Sequence, residues 1–368
     1  GNSHRSTAMK CSWVSLILFS YVAIANSLSD EDEFLAFVKE HSKQYSRSEY
    51  LQRFSIFVDN KKRIAELNEQ AEQRGEDVRF ATNKFADLTS EEFGNIILLP
   101  KRHHPLFPSE RFSPKSSLSD IPDSFDWTTK GAVTPVKDQG TVGSCWTFST
   151  AENIEGQWAL AGNDLVSLSE EQIVDCDGSE DIPTGAADCG VFGGWPYLAY
   201  QYVMRAGGLQ SEKEYPYCVG TGACYPCPAK GYNKTLCGPP VDYCNATAYP
   251  CKEDPSKAVA NINDWVAISP DEDEMAAQLV QRGPLSVLID ARLLQFYHSG
   301  IYRGWFCSQA TDHAVLLTGY GNSGSTPYWL IKNSWGEKWG ENGYFRLLRG
   351  KKKCGITTGV TTSCVGKC

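Results

Sequence analysis

The residues best placed to do covalent chemistry lie in the stretch Gln139-Gly-Thr-Val-Gly-Ser-Cys145-Trp146. A cysteine follows a flexible Gly-Ser turn and opens an apolar run: Phe148, Ala151, Ile154, Trp158 and Ala161. Steps of three and four residues describe one face of a helix, which Gly162 can end. Cys145 then falls at the helix N-terminus, where unpaired N–H groups and the helix dipole favour negative charge. Such a position stabilises the thiolate, the nucleophilic form of cysteine. Gln139 offers a side-chain amide that can donate to an oxyanion. The plainer alternative is a buried structural cysteine, since free cysteine is among the most buried residue types.

A thiolate needs a base that is cationic before attack and can give a proton to the leaving amine afterwards. Histidine does both near neutral pH. In Asp312-His313-Ala314-Val315 a histidine heads an apolar strand-like run, and Asn333-Ser334-Trp335-Gly336 follows another. An asparagine carbonyl can accept the second imidazole N–H, and a tryptophan beside that bond keeps water off it. A single histidine of this kind is more often structural. Together with Cys145 and Asn333 in matching contexts, His313 reads as a catalytic partner.

The elements that must position these groups divide the chain. A length of 368 residues calls for two or three units, and the net charge of −9 argues against nucleic acid or anionic membrane as partners. Fourteen cysteines point to an oxidising compartment. Residues 9–25 read as a signal peptide: Met9-Lys10, an apolar run from Trp13 to Ile24, and a small-x-small site at Ala23-Ile24-Ala25. Glu49, Arg53, Phe57, Asn60, Ile64 and Asn68 then fall on one face of a long helix. Asn83-Lys-Phe85-Ala-Asp87 follows, ahead of a helix at Thr89–Phe93 opened by a Thr-x-x-Glu capping box. Residues 100–120, rich in Pro, Ser, Lys and Arg with His103-His104, read as an exposed linker suited to cleavage. From Ile121 the composition is that of a compact domain. Its first half is helical, and its second half has strand-like runs at Leu285–Ile289, Ala314–Gly319, Tyr328–Ile331 and Tyr344–Leu348. Two lobes with a cleft between them are expected. A segment dense in Cys, Pro, Gly and Tyr, about 218–255, interrupts the second half.

In these motifs the chain resembles the papain-family cysteine protease precursors, of the cathepsin L/F-like group. The 49–68 stripe resembles the motif of their inhibitory prodomain, and Asn83, Phe85 and Asp87 resemble its second motif, with Ala81 where glycine is usual. The resemblance implies an α+β, papain-like two-lobed fold with a helical left lobe, a β-barrel-like right lobe and a helical N-terminal prodomain. It implies a zymogen in which residues 26–120 are an inhibitory propeptide and residues 121–368 the peptidase. By position, Cys145 resembles the nucleophile, His313 its ion-pair partner and acid–base, and Asn333 the orienting residue. Gln139 resembles the oxyanion-hole side chain, and Trp335 the shielding indole. Gly193 and Gly194 resemble the backbone rung that pairs with an extended substrate. Trp195, Pro196, Leu288, Ala314 and Gly359 resemble an uncharged pocket for the second residue before the cut, so an apolar or aromatic P2 residue is expected. The implied partners are protein or peptide substrates, the chain's own propeptide and cystatin-type inhibitors. A monomer of the secretory pathway, lysosomal or extracellular, is implied, with no cofactor and no membrane span.

The same resemblance pairs Cys176 with Cys224 and Cys307 with Cys354. Of the remaining cysteines at least one in the insertion must bond outside it, with Cys189 the expected partner, and Cys364 can meet Cys368. Two sequons, at Asn233 and Asn245, mark the insertion as a glycosylated surface loop. One departure from the family stands out: Val142 and Val191 occupy the places of a usual disulfide, with Phe192 beside them for an asparagine, so an apolar contact replaces the bond. Two other readings compete. A catalytically silent binding or inhibitor protein of the same fold is expected to lack Cys145 or His313, and both are present. A zinc module is suggested by Cys224-Tyr-Pro-Cys227, but disulfides are favoured in an oxidising compartment, and no metal site is assigned.

Overall fold

A computed structural model describes residues 30–101, 103–116, 121–225, 227–229, 231–239, 244 and 251–368. The expected signal peptide and Asn245 lie outside the described residues. Two N-terminal helices, α1 over residues 30–40 and α2 over Arg47–Gln73, cross on an aromatic cluster of Phe34, Phe37 and Phe57. The predicted stripe on α2 faces inward. Its polar members hold the chain as it returns: Asn60 Nδ2 donates to the carbonyls of Ala86 and Leu88 at 2.8 and 2.9 Å. Asn68 exchanges two hydrogen bonds with the Phe80 backbone, and Arg53 reaches Glu92 at 2.9 Å. An amphipathic helix alone needs only Phe57 and Ile64. The asparagines are there because backbone groups of Phe80, Ala86 and Leu88 on the returning segment face the helix and need partners.

That return contains β1 (Arg79–Phe80) and α3 (Ser90–Ile96). Thr89 caps α3 in the predicted box with Glu92. Strand β1 pairs with residues 297–299 of the larger domain, and Asn83 donates to the Gln295 carbonyl at 2.8 Å. Lys84–Asp138, Lys101–Asp290 and Arg111–Asp264 are ion pairs across the same boundary. The described residues of 100–116 are mostly exposed, as the linker reading expected, but they are docked on the larger domain. The segment runs on over the larger domain, where Phe112 bridges to Ala267 and the Ser113 N–H donates to the Ala267 carbonyl at 2.8 Å.

The larger domain starts with β2 (Phe125–Asp126), then α4 (Cys145–Leu160), α5 (Glu170–Cys176), the small hairpin β3–β4 (Glu180–Asp181, Ala186–Ala187), α6 (Pro196–Ala206) and a single turn α7 (Lys234–Cys237). Strand β5 (Asp264–Ala267) and helix α8 (Glu272–Arg282) lead into β6 (Leu285–Ile289), β7 (Tyr297–Ser299), β8 (Ile301–Tyr302), β9 (His313–Ser323), β10 (Thr326–Lys332), β11 (Tyr344–Leu348) and β12 (Thr361–Cys364). The main sheet runs β5-β12-β6-β9-β10-β11-β8, with β2 added to β9. The β6–β9 register sets Leu288 opposite Ala314 and Ile289 opposite His313. All four predicted strands are present.

Helix α4 differs from its one-faced expectation: every residue from Cys145 to Gln157 is buried. It packs against α5 and α6 on one side and β6, β9 and β12 on the other, so its polar side needs internal partners. Lys332 pairs with Glu152 at 2.8 Å, Lys137 with Glu155 at 2.6 Å, and Asn153 donates to the Pro284 carbonyl at 2.8 Å.

Six disulfides form among the described residues, and Cys145 is the free cysteine. Cys307–Cys354, Cys364–Cys368 and the Cys189–Cys237 bond out of the insertion are as expected. One pairing is corrected: Cys176 bonds Cys251, and Cys224 bonds Cys218. The insertion closes a short loop on itself, with five residues between Cys218 and Cys224, and its far end, not its near one, returns to the last residue of α5. Spacing does not distinguish these connectivities. Cys227 bonds Cys244, so both sulfurs of the suggested zinc pair are committed to separate disulfides. Val191 packs with Val174 and Val219, and Val142 joins them, which is the apolar contact expected in place of the missing disulfide. Asn233 caps α7, and its Nδ2, the atom a glycan would take, donates to Glu180. Among the described residues no helix is long and apolar enough to cross a membrane.

Asn60→Ala leaves the buried Ala86 carbonyl without a donor, while Leu88 keeps Gln295 Nε2; the loss costs about 1–3 kcal/mol. The expected result is a lower unfolding midpoint for the N-terminal unit in a denaturant series and faster protease nicking after residue 80. An unchanged midpoint contradicts this account of the helix stripe.

Candidate active site

Four elements deliver the site. The start of α4 supplies Cys145, the head of β9 His313, the turn after β10 Asn333 and Trp335, and the loop before α4 Gln139. The sequence-predicted residues meet. His313 Nε2 lies 2.7 Å from Asn333 Oδ1. That oxygen already accepts from the Ser334 N–H at 2.9 Å, so the imidazole nitrogen is the donor. Nδ1 is then the lone-pair nitrogen, buried and with no hydrogen-bond partner among the described residues. The Trp335 indole stacks on the imidazole at 4.7 Å and 27°. Cys145 Sγ accepts from the Ala314 N–H at 3.4 Å, which sets the sulfur beside the residue that follows His313.

Gln139 is fixed from both ends. Its Oε1 accepts from the Ser334 hydroxyl at 2.8 Å, and its Nε2 donates to the Val142 carbonyl at 2.8 Å and to the Ile97 carbonyl at 3.0 Å. Ile97 belongs to the N-terminal unit. The site is therefore occupied by the chain's own segment: the Leu99 N–H donates to the Asp312 carbonyl at 2.8 Å, and the Leu99 side chain lies against Gly193. Farther along, the His104 ring meets Trp195 at 5.1 Å, Tyr197 at 5.7 Å and Phe107 at 4.4 Å. A Cβ on Gly359 would stand 2.5 Å from that ring and 2.6 Å from Leu288, so only glycine leaves this pocket open. Leu288, Ala314 and Trp195 share one apolar cluster, and Pro196 opens α6 directly after Trp195. On the far side of Trp335 a hollow of about 930 Å³ stays open between Lys43 and Lys84 of the N-terminal unit and Thr141 and Trp339.

Closure changes the electrostatics. Burial pushes the Cys145 thiol up to about 12, and Asp312 adds to the rise, against the N–H groups of Ala314, Trp146 and Cys145 itself. Burial pulls the His313 imidazole down to about 4, against the Asn333 hydrogen bond that favours its charge. The thiolate-favouring helix start read from the sequence is present, but under cover desolvation outweighs it and both groups are neutral. Sequence reasoning missed several residues here. Ser334 was visible within the Asn-Ser-Trp string. Tyr217, whose hydroxyl donates to the Gln139 carbonyl at 2.8 Å, carried no local signal.

A two-lobed fold that brings a thiol, an imidazole and an amide to one cleft, covered by its own N-terminal segment, is that of a thiol peptidase in zymogen form. Residues 121–364 match the family model of papain family cysteine proteases, and residues 34–93 that of the cathepsin propeptide inhibitor domain (I29). The chain belongs to the papain family of cysteine proteases. It is 39% identical over 349 residues to cysteine proteinase 1 of Dictyostelium discoideum, covering 92% of this chain and 94% of that one. It is 40% identical over 340 residues to cathepsin F of Mus musculus, covering 90% of this chain and 64% of that one. Digestive procathepsin L 3 of the Tenebrio molitor larval midgut superposes with a TM-score of 0.72 at 33% identity, over 91% of this chain and 99% of that one.

Neutral and covered, Cys145 is a poor nucleophile in the full-length chain. Its alkylation by iodoacetamide at pH 7 is expected to be slower than in the processed enzyme by at least about a hundredfold. Equal rates contradict the covered-thiol account.

Proposed function

We propose that Cys145 is the nucleophile of an endopeptidase, paired with His313 once the propeptide has left and water has returned to the cleft. The thiol proton passes to His313 Nδ1, and Sγ attacks the scissile carbonyl carbon. The oxyanion takes hydrogen bonds from Gln139 Nε2 and the Cys145 N–H. The imidazolium then gives its proton to the leaving amine, and His313 accepts one from the water that hydrolyses the thioester. Asn333 keeps the ring in the required tautomer, and Trp335 shields that bond. The single observation that carries this reading is the Ile97 carbonyl on Gln139 Nε2: a peptide carbonyl already rests on the donor that an oxyanion needs. Gly193 and Gly194 form the backbone rung. Trp195, Pro196, Leu288, Ala314 and Gly359 make the pocket for an apolar or aromatic P2 side chain. The boundaries we assign are 26–120 for the propeptide and 121–368 for the peptidase. A monomeric enzyme of the secretory pathway, lysosomal or extracellular, glycosylated at Asn233 and Asn245 and open to cystatin-type inhibitors, fits the cysteine content and the sequons.

Cys145→Ala is expected to abolish hydrolysis of a peptide with an apolar P2 residue, along with labelling by an epoxide electrophile, while peptide binding to the processed enzyme persists. Labelling that survives the substitution sinks the assignment.

Release at acid has a titratable source in the plug itself. Burial pulls the His104 ring down to about 4, against its bond to the Pro105 carbonyl. Among the side chains packed on it only Tyr197 titrates, and that hydroxyl points to Asp181 at 3.3 Å. The docked ring binds a proton less readily than the free one. Docking is therefore at full strength above pH 6.5 and weakens as pH falls from there to about 4, by up to about 3 kcal/mol. Glu92 acts later. Burial pushes its carboxyl up, but the Thr89 and Arg53 hydrogen bonds outweigh this and hold it below 4.5. Its contribution is present above 4.5 and is lost only as pH falls through the lower folded value. His104→Leu is expected to slow processing of the precursor at pH 5 by about tenfold and to leave it unchanged at pH 7. The same pH profile in both proteins refutes the role of His104.

A further inference from the structure

The loop that carries Gly193 and Gly194 is held from behind by two acids. Asp177 follows α5 and Asp188 heads the loop, and their exposures are 0% and 1%. Asp177 Oδ1 accepts from the Ser179 N–H at 2.9 Å and from the Ser179 hydroxyl. Asp188 Oδ1 accepts from the Trp195 N–H at 2.7 Å. One oxygen on each acid, Oδ2, has no other partner among the described residues, and the two carboxyls are in hydrogen-bond contact with each other. Carboxylates only accept, so a hydrogen bond between them requires a proton. Two bare charges in so dry a place do not coexist. One shared proton satisfies both oxygens.

The surroundings suit a pair with a single negative charge. Arg205 on α6 supplies one positive charge nearby, with its Nη2 donating to the Ser179 hydroxyl at 2.6 Å. Tyr202 on α6 and Tyr197 also face the pair, but their hydroxyls donate to Glu253 at 2.6 Å and Asp181 at 3.3 Å. Burial first, and then the Asp177 charge, raise the Asp188 carboxyl well above the usual carboxylate range.

Asp188 also touches the rung. A Cβ on Gly194 would lie 2.7 Å from Asp188 Oδ1 and 2.5 Å from the Trp146 ring, so the backbone there is pressed against the acid. The Cys189 N–H donates to the Gly193 carbonyl at 2.7 Å, and the Asp188 N–H to the Ser179 carbonyl at 2.9 Å. Residues 188–195 thus form a closed loop whose two ends meet at the Asp188 carboxyl.

We propose that Asp188, through a proton shared with Asp177, is a positioning residue that fixes the Gly193–Trp195 backbone against which the substrate lies. Loss of the proton leaves two buried charges that repel, and Asp188 takes the Trp195 N–H out of line with it. The pair acts on substrate affinity and leaves the chemistry at Cys145 alone. This inference rests on the peptidase reading above.

The test is KM and kcat of the processed enzyme from pH 5 to 9 on a peptide with an apolar P2 residue, for the unsubstituted protein, Asp188→Ala and Asp188→Asn. KM of the unsubstituted enzyme is expected to rise about tenfold toward pH 9, the worth of one hydrogen bond, with a smaller change in kcat. Asp188→Ala raises KM throughout but leaves the rate of Cys145 alkylation by iodoacetamide at pH 6 within about twofold. Asp188→Asn restores the low KM and removes the alkaline rise, because its amide donates permanently to Asp177 while its carbonyl still takes the Trp195 N–H. An alkaline rise in Asp188→Asn equal to that of the unsubstituted enzyme overturns the proposal. That comparison decides the matter even if Asp188→Ala does not fold. An unsubstituted enzyme without turnover at any pH sinks the peptidase reading as well.

Discussion

The Trp335 indole is the surface on which both activity and restraint are built. One face stacks on the His313 imidazole, and Phe85 and Phe93 of the propeptide meet the ring edge-on, each at 5.4 Å. Trp339 closes a further side at 4.7 Å. A histidine can keep a fixed tautomer only if its hydrogen bond to Asn333 is kept from water, and an indole does that through area rather than charge. The same area is an apolar patch that a docking segment can use. Two buried phenylalanines contribute about 3–6 kcal/mol together, well above what exposed ion pairs such as Lys338–Glu40 add. The inhibitor is anchored to the part of the enzyme that cannot be altered without cost to the imidazole.

From that anchor the rest of the closed state follows. Asn83 and Phe85 dock the return segment, α3 sits beside it, and the chain leaving α3 has only the cleft ahead of it. Ile97 then meets Gln139, Leu99 meets Gly193, and His104 meets Trp195. The α2 asparagines hold the return segment in shape, which is why polar residues recur on the inner face of a helix that packs on aromatic rings.

Much of this was legible in the sequence, and the reason is locality. Cys145 at a helix start, His313 at a strand head, the Asn-Ser-Trp turn and the Thr89–Glu92 box each declare themselves within a few residues. The β strands showed because β9 is buried along nearly all its length and opens on the apolar run Ala314–Leu317. What escaped depends on distant returns of the chain. The Cys176–Cys251 bond required knowing that the far end of the insertion comes back to α5. The all-round burial of α4 required Lys332, Lys137 and Pro284, brought from elsewhere. Asp177 and Asp188 are unremarkable acids in sequence, and only burial makes them a pair. The thiolate reading of Cys145 had the right position, but it could not include the propeptide lying over the sulfur.

The Val142–Val191 contact has a consequence for the conditions under which this enzyme can work. A peptidase that depends on a free thiol needs a reducing milieu, because an oxidised thiol is not a nucleophile. The same reductant attacks any accessible disulfide. A bond at residues 142 and 191 would stand within a few residues of the nucleophile, and its cleavage would release the loop just when the thiol is kept alive. Packed valines are indifferent to redox potential. The wall beside the sulfur therefore keeps its shape across the whole range of potentials at which Cys145 stays reduced.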